Sequence, residues 1–147
     1  MMNDLPVRLN PERGRIRFRN ADPFVYVYFL AEHPYSAEGQ GFWMAPGPSD
    51  VVFRVDGKIR QINLTVHSDV ANQFDATVDG THQRVTLAPG EQKKLTFDVS
   101  NPVHADGADV YQLSLFAANG VRPSDLNKTS GDTRLLGVFV DVEFVSR

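Results

Sequence analysis

Apolar residues recur at every second position through most of this chain, and this alternation constrains its fold more than any other feature. Ile62, Leu64 and Val66 alternate with polar residues, which is the pattern of a β-strand with one face buried and the other in water. Leu95 and Phe97 repeat the pattern. No stretch of ten or more residues has apolar positions at helical spacing. The sequence therefore predicts an almost wholly β protein.

Short turn motifs separate the predicted strands. Asp79-Gly80 suits a tight turn with positive φ, and the Ala-Pro-Gly-Glu sequence at residues 88–91 suits a reversal in which proline presets the backbone. The second motif predicts that Leu87 and Leu95 lie on neighbouring antiparallel strands. Eight or nine short strands without helical crossovers predict an antiparallel two-sheet β-sandwich, either immunoglobulin-like or jelly-roll.

Two segments, residues 24–30 and 135–145, are apolar at consecutive positions, which predicts strands covered on both faces. In the second segment Asp141 and Glu143 interrupt one face, so the C-terminal end of that face is predicted to reach water. If another subunit covers one of these apolar faces, the chain is a protein-interaction or oligomerisation module.

Length and composition limit the class of protein. A chain of 147 residues is expected to form one domain, in which the arginine-rich residues 1–20 are predicted to be peripheral. The absence of cysteine excludes disulfides, thiolate metal sites and cysteine nucleophiles. A formal net charge of -3 gives no basic field for nucleic acid, and no apolar run is long enough to cross a membrane as a helix. We therefore expect a soluble domain without a nucleic-acid partner, and its cellular location is left open.

Residues that could carry enzyme chemistry form no recognisable constellation. The four histidines are scattered, and none has the close helical spacing of a metal-binding pair. Ser124 lies in Pro-Ser-Asp rather than in a nucleophile elbow. Asp125 and Asp132 could serve as glycosidase carboxylates or, with Asn127, as calcium ligands, but turn-forming bonds to backbone amides are the favoured interpretation. We expect no catalytic activity, no cofactor and no metal.

An aromatic group is the first candidate for ligand binding. Tyr35 and Trp43 lie in or beside a glycine- and proline-rich patch, residues 39–48, that is predicted to be a long loop. Aromatic rings stack on sugar rings, while nearby polar groups bond the hydroxyls. The favoured alternative for the tryptophan is structural: residues 41–44 would form a short strand, and Trp43 would plug one end of the sandwich.

A charged loop is the second candidate. Arg122, Asp125, Asp132 and Arg134 lie in a polar loop that leads directly into the apolar run of residues 135–140. Binding residues are often held on loops by a rigid scaffold. The arginines could bind a ligand carboxylate or phosphate, but the favoured interpretation is that they pair with the two aspartates and fix the loop.

Short motifs along the chain also point to a class of domain. In order, they are Gly41-Phe42-Trp43, Ala88-Pro89-Gly90-Glu91, Arg122-Pro123-Ser124-Asp125, Asp132-Thr133-Arg134 and Leu136-Gly137-Val138. With the amphipathic strands between them, they give residues 39–145 a pattern that resembles a bacterial accessory β-sandwich domain associated with glycosyltransferases and other surface-polysaccharide proteins. The resemblance implies a carbohydrate context and supplies no catalytic residues.

These observations favour a noncatalytic module that binds or positions a glycan. The alternative is a module that contacts a protein partner or a second copy of the chain. The residues expected to contact the glycan are Tyr35, Trp43, Arg122, Asp125, Asp132 and Arg134.

Overall fold

The structure, a computed structural model, describes residues 16–19, 24–29, 41–105 and 107–147. Within these ranges the chain forms eleven β-strands and one short helix. The strands are β1 (Ile16–Arg19), β2 (Phe24–Phe29), β3 (Gly41–Met44), β4 (Gly47–Asp56), β5 (Ile59–His67), β6 (Asn72–Val78), β7 (Thr81–Leu87), β8 (Gln92–Asp98), β9 (Val103–Ala105), β10 (Ala108–Ala117) and β11 (Val138–Ser146). The helix α1 (Pro123–Leu126) lies between β10 and β11.

The strands form two antiparallel sheets. The larger sheet has the order β1-β2-β4-β10-β6-β7, with β9 also paired to β10, and the smaller sheet has the order β3-β11-β5-β8. β3 pairs with β11, β4 with β10, β5 with β8 and β6 with β7, so each pair of strands is nested in sequence inside the one before it. This nested pairing is that of a jelly roll. The predicted two-sheet β-sandwich is therefore confirmed, in its jelly-roll form.

Two short strands, β3 and β9, exceed the eight or nine that the alternation predicts. The first of them lies within residues 39–48, so the prediction of a long loop there is wrong and the alternative of a short strand is right. Its glycine is required by packing, because a Cβ atom at Gly41 would lie 2.6 Å from the backbone oxygen of Val140 and from ring carbons of Phe139. Glycine here marks a close approach between side chain and backbone rather than a flexible loop.

The two predicted turns differ in what they connect. Asp79 and Gly80 have positive φ angles of 50° and 80°, and they join the paired strands β6 and β7 as predicted. Gly90 also has a positive φ of 77°, but β7 ends the larger sheet and β8 ends the smaller one. The prediction that Leu87 and Leu95 lie on neighbouring strands is therefore wrong, because a turn motif sets a reversal and not the sheet that follows.

The main core fills the space between the two sheets. Phe53 and Phe144 come from opposite sheets and meet edge to face, with ring centroids 5.2 Å apart. Strand β11 lies between β3 and β5, and its alternate residues from Val138 to Phe144 are buried, as predicted for a central strand. Each large apolar side chain buried in this way contributes roughly 1.5–3 kcal/mol to stability.

A second apolar cluster lies on the outer face of the larger sheet. Tyr28, Val52 and Val110 are at most 5% exposed there, and Tyr26 and Val103 pack at the margin. On this face of β2, Tyr28 is thus buried and Tyr26 half-buried within one chain. These two positions do not by themselves require another subunit.

Candidate functional site

Three ring-bearing side chains meet on the outer face of the smaller sheet, and we call them the aromatic row. Trp43 of β3 pairs in register with Phe139 of β11, which pairs with His67 of β5. The ring centroids lie 5.3–5.4 Å apart, Trp43 meets the other two edge-on, and His67 stacks with Phe139 at 30°. All three residues are half-buried. The row therefore leaves an apolar patch at the surface.

The alternation of β3 explains why Trp43 faces outward. Its neighbours Phe42 and Met44 are fully buried in the main core, so the residue between them must lie on the opposite face. The expectation that Trp43 plugs one end of the sandwich is therefore wrong. Phe42 and Met44 take the interior positions instead.

Polar side chains continue the same face beyond the aromatic row. Asp141 of β11 lies opposite Thr65 of β5, and the next outward pair is Glu143 and Asn63. The Nδ2 group of Asn63 donates to Oε1 of Glu143 at 2.9 Å, and Asn63 is only 5% exposed. This pair is therefore fixed in place. The face combines apolar rings with groups that donate and accept hydrogen bonds, which is the usual composition of a ligand site.

The charged loop is held at both of its ends. Val121 and Leu136 exchange two backbone hydrogen bonds of 2.8 Å. The buried Asn72 donates through Nδ2 to the carbonyl oxygens of Asn119 at 2.8 Å and Gly137 at 3.4 Å, and its Oδ1 accepts from the Asn119 N–H at 2.9 Å. One buried amide therefore links the chain just after β10 to the chain just before β11.

Two of the four charged candidates form an ion pair within this loop. Arg134 donates through Nη2 and Nε to the two carboxylate oxygens of Asp132, at 2.8 Å and 3.0 Å. Side-chain and then backbone hydrogen bonds from Arg134 hold the pKa of Asp132 below its ordinary value. For Asp132 and Arg134, this is the internal pairing that the sequence favours. Arg122 and Asp125 are exposed, and the Asp125 N–H donates to the Arg122 carbonyl at 2.9 Å.

Two of the three side chains that could bind calcium in this loop already accept hydrogen bonds. Oδ1 of Asn127 accepts from the N–H and the hydroxyl of Thr129, at 3.0 Å and 2.7 Å. The carboxylate of Asp132 accepts from Arg134. Among the described residues no group of three or more histidine or acidic side chains is placed to hold a metal ion.

The described residues also include no helix that is long and apolar enough to cross a membrane.

The structure brings only part of the predicted site together. Trp43 contacts β11 at Phe139, and the loop joins the chain at Leu136, so both lie at the same end of the sandwich. Tyr35 lies outside the described residues. Sequence reasoning missed His67 and Phe139 as site residues. Their outward direction follows from period-two alternation, but their meeting depends on the register of three strands.

Comparison with known proteins gives likenesses of fold only. No protein-family model matches the chain, and no curated protein matches it in sequence. A carbohydrate-binding module of family 4 is similar in structure, at 13% identity and a TM-score of 0.46, over 95% of this chain and 100% of that one. A family 6 carbohydrate-binding module is similar at 12% identity and a TM-score of 0.42, over 90% of this chain and 92% of that one.

A larger protein is also similar. It is a family two carbohydrate esterase from Clostridium thermocellum in complex with cellohexaose, at 15% identity and a TM-score of 0.43. The match covers 80% of this chain but 30% of the esterase, so the chain spans less than a third of that protein. Because these TM-scores all lie below 0.5, function has to be inferred from the residues of this chain.

Proposed function

We propose that this domain is a noncatalytic module that binds a glycan on the outer face of its smaller sheet. The aromatic row of Trp43, His67 and Phe139 is the observation that carries the proposal. A sugar ring has a face of C–H groups and a rim of hydroxyls. Aromatic side chains can cover the face while polar neighbours bond the rim, which is why the two are combined in sites for such ligands.

The polar side chains beside the aromatic row lie close enough for a bound sugar to contact both. Asp141 follows Phe139 by two positions on β11, and Thr65 precedes His67 by two positions on β5. Residues two apart on one face of a strand are about 7 Å apart, so a glycan stacked on the row can reach both side chains. Asn63 and Glu143 extend the same face by another step.

The charged loop supplies a second part of the proposed surface. In the proposal Asp132 and Arg134 chiefly hold the loop in shape through their ion pair. Arg122 and Asp125 are exposed at the same end of the sandwich as Trp43 and would contact a longer glycan. Tyr35 stays a predicted contact. A shallow surface of this kind gives weak binding unless several copies act together.

A glycan array tests the proposal with three proteins: the wild type, Trp43→Ala and Phe116→Ala. Phe116 is a matched control, because it is an aromatic residue 40% exposed on the outer face of the other sheet. We expect the wild type and Phe116→Ala to bind one class of glycan, and Trp43→Ala to bind it at least about tenfold more weakly. Each variant is first checked for folding by urea denaturation. A folded Trp43→Ala variant that binds like the wild type would contradict the proposal.

The alternative function, a protein-interaction module, is favoured by one observation. Leu126 of α1 is 61% exposed on the loop that follows β10, and large exposed apolar side chains often mark protein contacts. No binding to any glycan, with and without calcium, would reject the glycan proposal and favour this alternative. Sedimentation at several concentrations would then show whether the partner is a second copy of the chain.

A further inference from the structure

Strands β6 and β9 share one edge of β10 and leave a gap between them. β9 pairs with β10 as far as Val110, and β6 pairs with it from Leu113 onward, so the described pairing on this edge skips Tyr111 and Gln112. On the opposite edge β4 pairs with β10 without interruption. Consecutive residues of a strand direct their backbone groups to alternate edges. One of the two skipped residues therefore points its N–H and C=O into the gap.

A cavity of about 380 Å³ occupies this gap. Its volume falls at the small end of the range for ligand sites, roughly 300–1,000 Å³. Three segments enclose it: β10, the end of β6 with its turn, and the chain from Asn101 to Val103. The turn residue Gly80 has no side chain to fill the space. The cavity therefore suits a ligand of a few small rings at most.

The walls of the cavity combine hydroxyl, amide and apolar groups. Thr77 of β6 lies opposite Ser114 of β10 in register, so two hydroxyls lie side by side. Gln112 adds an amide on the same face of β10. Val103, which pairs in register with the buried Val110, supplies an apolar wall. Hydroxyls and amides both donate and accept hydrogen bonds, as the hydroxyls of a sugar require.

A single carboxylate sets the charge that the cavity accepts. Among the described residues that line it, Asp79 is the only one charged at neutral pH. Its Oδ2 accepts from the backbone N–H of Ser100 at 2.9 Å, which fixes the carboxylate in place. A fixed negative charge repels an anionic ligand and accepts hydrogen bonds from a neutral hydroxyl. The charge therefore disfavours an anionic ligand, and together with the hydroxyl and amide groups of the walls it suits a hydroxyl-rich one.

We propose that the cavity between β6, β9 and β10 binds one neutral sugar unit, separately from the aromatic row. The two sites lie on the outer faces of opposite sheets, so one domain holds two sugar-binding surfaces that face away from each other. The inference does not rest on the aromatic row, because none of its three residues lines the cavity.

Titration by ligand-observed NMR tests this site with free monosaccharides. The probes are glucose, galactose, mannose, xylose and N-acetylglucosamine, with glucuronate as the anionic counterpart of glucose. The variants are Thr77→Val, which keeps the branched shape and removes the hydroxyl, and Gln112→Ala. Thr86→Val is the matched control, because Thr86 is exposed on β7 of the same sheet and does not line the cavity.

We expect the wild type and Thr86→Val to bind at least one neutral sugar saturably and to reject glucuronate. Thr77→Val and Gln112→Ala should each bind that sugar about tenfold more weakly, since each removes a hydrogen bond. The proposal is overturned if no neutral monosaccharide binds the folded wild type, or if both cavity variants bind as tightly as the control. Preferential binding of glucuronate would also overturn it.

The same proteins separate this site from the proposed glycan surface. Trp43→Ala should leave monosaccharide binding unchanged, and Thr77→Val should leave binding to the glycan array unchanged. If Trp43→Ala abolishes both, the two surfaces are one site and the inference of a separate cavity site fails. If array binding is absent while monosaccharide binding depends on Thr77, the proposed function fails and the cavity site stands.

Discussion

The two ends of the sandwich are closed by different chemistry. Beside the charged loop, the neutral side chain of Asn72 is 3% exposed and bonds backbone groups. At the opposite end, the carboxylate of Asp109 is 6% exposed and lies 3.1 Å from Lys58 Nζ and 2.8 Å from His104 Nδ1. The side chains of Lys58 and His104 are 64% and 72% exposed. We call the end around Asn72 the neutral end and the end around Asp109 the charged end. If Asp109 is replaced, water can solvate its exposed partners more easily than it can solvate the groups bonded to the buried Asn72.

The largest effect is expected at the neutral end. In Asn72→Ala the N–H groups of Asn119 and Gln73 lose their acceptor, and the Asn119 carbonyl loses a donor. Because Asn72 is only 3% exposed and also donates buried hydrogen bonds to Ser68 Oγ and the Gly137 carbonyl, we expect the free energy of unfolding to fall by about 3 kcal/mol. Urea denaturation measures it, with the exposed Asn101→Ala as control. A loss below about 1 kcal/mol would mean that water replaces the amide and that the ends do not differ.

A second effect concerns the charged end at high pH. Burial raises the pKa of Tyr111 to about 12, and the neighbouring charge of Asp109 adds to the rise. The unfolded tyrosine ionises near its ordinary value of 10.0, so between these two values the unfolded chain releases its proton first and becomes favoured. The contribution of Tyr111 to stability is therefore complete below pH 10 and lost as the pH rises towards 12.

Tyr111→Phe provides the comparison for this alkaline effect, because it lacks the ionisable hydroxyl and keeps the ring. We expect the wild type to lose up to roughly 2 kcal/mol more stability than the variant across that pH window. Urea denaturation at a series of pH values measures the difference. Equal alkaline losses in the two proteins would show that Tyr111 ionises as readily in the folded chain as in the unfolded one.

A smaller effect is expected when the charge at this end is removed at neutral pH. Asp109→Asn keeps the shape of the side chain but leaves Lys58 and His104 without their anion. Because both partner side chains are exposed, we expect a loss of about 1 kcal/mol, and added salt should reduce the difference from the wild type by screening the Lys58 pair. Urea denaturation at low and high salt measures both. A loss as large as that of Asn72→Ala would contradict the proposed difference between the ends.

The fold class could be predicted from the sequence because strand alternation is a local signal. The choice of jelly roll over immunoglobulin-like sandwich could not, since it depends on which distant strands pair. The turn at residues 88–91 illustrates the limit: its proline and glycine correctly predict a reversal, but they do not show that β8 enters the other sheet.

For the candidate site, too, only the local features could be predicted from the sequence. Trp43 could be identified by residue type, and the outward direction of Phe139 follows from its position between buried neighbours. That these two rings meet His67 could not be predicted, because β3, β11 and β5 become adjacent only through nonlocal pairing. Asn72 was missed for the same reason, since its partners Asn119 and Gly137 are far away in sequence.

The smallest effect is expected for the ion pair within the charged loop. Asp132 and Arg134 have side chains that are 30% and 35% exposed, so Asp132→Asn should leave the urea midpoint unchanged within error. The lowered pKa of Asp132 means that the wild-type pair persists until the pH falls below the ordinary value of 3.8. The Arg134 Nε–H signal in NMR should report its loss there. If Asp132→Asn instead destabilised the fold as Asn72→Ala does, this end would also depend on charge, and the two ends would no longer differ in kind.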